Sequence, residues 1–139
     1  ESGGILGFSL YPHHLAGGSA CTVTAFCEMI ARTADKIGIG ALAIGSDLCQ
    51  DQPDTVVEWM RSGRWTKTVD FGEGSPDAPG FPPMQPWFRD NRDFAAIADG
   101  LVAAGMAPPE VDAIMGGNWQ TFFRNSFSPA ASPTEGQAK

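Results

Sequence analysis

Few residues in this 139-residue chain are placed to do chemistry. Asp47 follows the apolar run Leu42-Ala43-Ile44-Gly45-Ser46 and sets a carboxylate where a buried segment opens into a long loop. A carboxylate there can hold a cation or carry a proton. Its commoner use is to cap the loop that follows, and the residues alone leave both readings open. Tyr11, His13 and His14 come at the end of another apolar run, where Tyr11 and His13 are candidate substrate contacts. Cys49 is close enough to Asp47 to line the same pocket, but no neighbouring base marks it as a nucleophile. Arg64, with Lys67 nearby, can meet a substrate carboxylate; surface charge around a buried tryptophan is the plainer alternative.

Cys21, Cys27 and Cys49 lack CxxC spacing, and the two histidines are adjacent, so no self-contained zinc site follows. Reduced, partly buried thiols and a cytoplasmic location fit better. The net charge of −7 and pI of 4.6 come without a Lys/Arg cluster, which argues against nucleic acid. No apolar run approaches the roughly 20 residues that span a bilayer, so the chain reads as soluble.

The elements that must position these residues follow from apolar spacing. The run Gly3-Gly4-Ile5-Leu6-Gly7-Phe8-Ser9-Leu10-Tyr11, bounded by Pro12, predicts a strand over 1–11 buried on both faces. Val23, Phe26, Cys27, Ile30, Ala34 and Ile37 predict a helix over 22–37, capped by Thr22 or Thr24 and stopped by Gly38. A second buried strand over 39–47 ends in Asp47. Strand, helix and strand make a right-handed βαβ unit, the repeat of parallel sheets and closed barrels.

A long loop with one short helix occupies 48–92; the helix is capped by Asp54, carries Val56, Val57, Trp59 and Met60, and ends at Gly63. Pro and Gly crowd the rest of this stretch, while Phe81, Trp87 and Phe88 favour an ordered path. Terminal helices fill 93–127, with Gly105 as a stop, Pro108 or Pro109 as an opening and Asn118 as the cap of the last. Residues 128–139 predict a flexible tail. Two strands cannot satisfy their own outer edges, so something else must cover them. The chain opens on Glu1 and enters an apolar strand within a few residues, so its start reads as an interior position.

Ile44-Gly45-Ser46-Asp47, at the end of a buried strand and before a long loop, resembles the last barrel strand of the membrane (renal) dipeptidase family. Residues 3–11 are similar to that family's seventh strand. Gly100-Leu101, Gly105-Met106, Glu110-Val111 and Met115-Gly116-Gly117-Asn118 are similar to its C-terminal helices. The resemblance implies an α/β fold: the C-terminal part of a (β/α)8 TIM-like barrel, its last two strands plus terminal helices, incomplete without an N-terminal portion.

It further implies a dipeptidase with two zinc ions, whose ligands all lie outside this chain. One functional residue carries over: the final-strand aspartate, facing the substrate's amino group and scissile amide, falls on Asp47. The expected partners are the N-terminal portion, as a separate or cleaved chain, and a dipeptide, with a homo-oligomer of the assembled enzyme also possible. Thr121 stands where the family has an arginine, and Asp47-Leu48-Cys49-Gln50 replaces Asp-Phe-Asp-Gly, which places the chain in a divergent bacterial branch. Two rival functions are a noncatalytic interaction module and hydrolysis of another small amide.

Overall fold

The computed structural model describes residues 3–48, 53, 55–56, 59–60, 77 and 81–127. Strands β1 (Leu6–Phe8) and β2 (Leu42–Ile44) lie parallel, with Leu6 opposite Leu42 and Phe8 opposite Ile44. Helix α1 (Val23–Ile37) makes the crossover between them. The Thr22 side chain accepts the Ala25 N–H at 3.1 Å and satisfies one of the first-turn donors. Gly38 ends the helix at φ 85°, a conformation that costs glycine little.

Both strands are shorter than the apolar runs predict. The strand expected over 1–11 is confined to Leu6–Phe8, because Ser9 already bonds the Tyr11 N–H and Pro12 opens a 3-10 turn, Pro12–His14. The strand expected over 39–47 is confined to Leu42–Ile44, because Ile39–Ala41 form a 3-10 turn behind Gly38. Burial is also one-sided. All of β2 is buried, whereas in β1 Leu6 is 46% exposed and Gly7 is exposed too.

Phe8, Leu42 and Ile44 pack with Phe26, Cys27 and Ile30 of α1, and the Phe8 and Phe26 rings meet edge-on at 6.4 Å. Helix α2 (Phe94–Ala103) lies against α1 with Ile97 and Leu101 buried. The two helices approach closely at Gly100, where a Cβ would fall 2.6 Å from Cys27 Sγ. Helix α3 (Pro108–Asp112) follows, with Pro108 in its first turn, then a π-type segment, Ala113–Gly117, that leaves helical geometry at Gly116. Helix α4 (Asn118–Phe127) ends the described chain. Among the residues expected in the short helix, Thr55, Val56, Trp59 and Met60 are helical, while Asp54, Val57 and Gly63 lie outside the described residues.

Asn118 does not cap α4 as its position suggests. Its own backbone is helical, and its amide Nδ2 donates to the Ile39 and Leu42 carbonyls, each at 2.8 Å. Trp119 Nε1 donates to the Ile44 carbonyl at 2.9 Å. The Gly45 N–H bonds the Phe8 carbonyl, so strand alternation turns the Leu42 and Ile44 carbonyls to the edge facing away from β1. Side chains of α4 therefore cover the outer edge of β2. Among the described residues no strand pairs with the outer edge of β1.

Candidate functional site

Both strands point the same way, so the segments leaving their C-terminal ends gather on one face. Past the ladder, the Leu10 N–H meets the Ser46 carbonyl at 3.2 Å, one residue beyond the Gly45 carbonyl that the Phe8–Ile44 register would offer it. The next residue, Asp47, has φ 54° and is the one non-glycine residue with positive φ among the described residues. Aspartate enters this left-handed region more readily than most residues, yet still at a cost of about 1 kcal/mol. Such strain gathers where structure serves function. The turn carries the chain away from β1 and leaves Asp47 exposed three residues past the end of β2.

Across the ladder, Ser9 organises the end of β1. Its Oγ accepts the Tyr11 N–H at 3.0 Å and lies 3.0 Å from His14 Nδ1. The half-buried Tyr11 ring packs edge-on against His13 at 5.4 Å, His14 at 5.2 Å and Phe81 at 6.5 Å. Tyr11 and His13, both expected as substrate contacts, pack together past the end of β1, at the same end of the sheet as Asp47. Cys49 and Arg64, the other two predicted contacts, lie outside the described residues.

A strap after the long loop completes this face. Phe81 touches Tyr11, the Ser19 hydroxyl donates to the Pro83 carbonyl, and Trp87 Nε1 donates to the Cys21 carbonyl at 2.7 Å. Between these anchors, Gln85 is completely buried, and its Nε2 donates to the Leu10 carbonyl at 3.1 Å. Gln85 Oε1 has no hydrogen-bond partner among the described residues. A buried acceptor left so costs about 1–3 kcal/mol, which apolar packing at that position would avoid. Ser9, Phe81 and Gln85 are not among the site residues expected from the sequence, where Phe81 counts only toward an ordered loop. Ser9, two residues before Tyr11, carries the only local signal, a hydroxyl able to bond the backbone N–H two residues on; the other two are brought in from far along the chain.

Among the described residues the remaining polar features offer no rival centre. Cys21 and Cys27 are buried and free, and burial raises both thiols, that of Cys27 to about 11 with help from neighbouring Cys21. They stay protonated and unreactive at neutral pH. A cleft of about 730 Å³ opens at the opposite, N-terminal ends of the strands, among Ile5, Leu6, Ile37 and Phe122, and no titratable side chain lines it. Among the described residues no group of three or more His, Cys, Asp or Glu side chains could hold a metal ion. The zinc pair implied by the resemblance therefore has no ligand set there. No described helix is long and apolar enough to cross a membrane.

With this geometry in view, the chain can be set beside known proteins. Its structure is similar to an amidohydrolase from Pseudomonas aeruginosa, with a TM-score of 0.75 at 21% sequence identity. The match covers 91% of this chain and 37% of that one, so the shared fold is that of a little over a third of the amidohydrolase chain. No family model matches the sequence, and no curated protein matches it.

Proposed function

We propose that this chain supplies the substrate-side half of a zinc-dependent dipeptidase whose remaining barrel strands lie on an N-terminal portion. The observation that carries this reading is the left-handed turn that sets Asp47 off the end of a buried parallel strand. Fold similarity to part of an amidohydrolase supports hydrolytic chemistry. On parallel α/β scaffolds, that chemistry sits at the C-terminal ends of strands.

In this reading the Asp47 carboxylate receives the ammonium group of a dipeptide's free N-terminus and helps move a proton to the departing amine. Tyr11 and His13 form the adjoining wall, and Cys49 and Arg64 are further substrate contacts on the loop that follows. The two zinc ions belong to residues outside this chain, and the work assigned to Asp47 does not pass through them.

The test is Asp47→Asn in the assembled protein, assayed on a free dipeptide and monitored for zinc content. The kcat/KM should fall by at least about 100-fold, with zinc content unchanged. Full retention of activity refutes the role given to Asp47.

A further inference from the structure

Gln85 occupies a place that packing alone does not explain. Along the edge of β1 that faces β2, the Phe8 carbonyl accepts the Gly45 N–H and the Leu10 N–H donates to the Ser46 carbonyl. The next acceptor on that edge is the Leu10 carbonyl, which a continuing parallel ladder would give to a residue of β2 just past Ser46. There the chain beyond β2, already slipped by one residue at Ser46, turns at Asp47 with φ 54°. The Leu10 carbonyl accepts from Gln85 Nε2 instead. A side-chain amide 75 residues along the chain thus takes the acceptor that the next rung of the sheet would use, on the residue whose own N–H bonds the carbonyl just before Asp47.

The strap holds that amide firmly. Pro83 is bonded by Ser19 and Trp87 bonds the Cys21 carbonyl, so Gln85 is pinned on both sides to the segment that leaves β1. Phe88, also completely buried, returns its N–H to the Gln85 carbonyl at 3.0 Å and fixes the local turn. Gln85 is fully buried and its Oε1 has no hydrogen-bond partner among the described residues, so an amide stands where an apolar side chain would cost less.

We infer that Gln85 is the positioning residue for Asp47: by taking the Leu10 carbonyl, it keeps the chain past β2 from pairing further with β1 and holds Asp47 in the turned-out conformation that presents its carboxylate. This rests on the role proposed for Asp47 and extends it to a residue that touches no substrate.

A double-mutant cycle in the assembled protein tests the inference. Gln85→Met keeps most of the volume and removes the donor, and Gln85→Leu is the second variant should the first fold poorly. Gln85→Met should lower kcat/KM for a free dipeptide by about 10- to 100-fold through misplacement of the carboxylate. In an Asp47→Asn background the same change should cost less than about twofold, because a residue that acts only through another has nothing left to position. Equal losses in both backgrounds, or no loss in either, overturn the inference. If Asp47→Asn is itself neutral, the function proposed for Asp47 falls as well, so the two failures are told apart.

Discussion

A carboxylate held by a left-handed backbone has two separable properties, its conformation and its charge, and substitution can divide them. At φ 54°, Asp47→Ala should be less stable than Asp47→Gly by about 1 kcal/mol, since alanine keeps the left-handed penalty and glycine does not. Under the role proposed for Asp47, both should lose dipeptide hydrolysis in the assembled protein to a similar extent, because both lose the carboxylate. Thermal unfolding set beside the activity assay checks the pair. The cysteines give a second prediction at this scale. Burial raises Cys27 from its ordinary 9.0 to about 11, so the folded state holds the thiol proton more tightly than the unfolded chain. The resulting stability is complete below pH 9 and is lost as pH rises toward 11. Denaturant titrations should show that decline, and Cys27→Ala should flatten it.

At the scale of elements, α1 is fixed by one cap and one close approach. Removing the Thr22 hydroxyl with Thr22→Ala should cost about 1 kcal/mol, while Thr22→Ser should keep most of the stability. Gly100→Ala should cost about 1–3 kcal/mol, because its methyl would lie 2.6 Å from Cys27 Sγ and 3.2 Å from Val23 Cγ2, forcing α1 and α2 apart. The double variant Cys27→Ala, Gly100→Ala should recover part of that loss in equilibrium unfolding. The last helix acts differently from its sequence pattern. Asn118 and Trp119 spend their donors on the outer-edge carbonyls of β2, so α4 is held to the sheet by hydrogen bonds as well as by apolar contact.

At the scale of the whole molecule, the two strand edges are unequal. Side chains of α4 cover β2, while β1 pairs on its outer side with no described strand and leaves Leu6 46% exposed. Parallel strands are ordinarily covered on both faces, and the chain matches only 37% of the length of the similar amidohydrolase. If the remaining barrel docks at β1, Leu6 becomes a core residue. Leu6→Ala should then destabilise the assembled protein by about 2–5 kcal/mol, whereas a cost well under 1 kcal/mol in chemical denaturation would place the partner elsewhere.

The sequence by itself carried what depends on near neighbours. Apolar spacing from Val23 to Ile37 defines α1, Thr22 and Gly38 mark its ends, and the run before Asp47 ends at a strand terminus because those preferences act within a few residues. That Tyr11 and His13 follow the end of β1 together was legible for the same reason, while the substrate contacts expected of them belong to the proposal. Tertiary structure alone decided what depends on distant partners. It shortened both strands, turned Asn118 from a cap into a sheet-edge donor, and gathered Phe81 onto Tyr11 and Gln85 onto Leu10. It also set the φ of Asp47, the feature on which the functional reading rests. A hydrogen bond across 75 residues leaves no local periodicity to read, since the donor and the carbonyl it meets become neighbours only when the chain has folded.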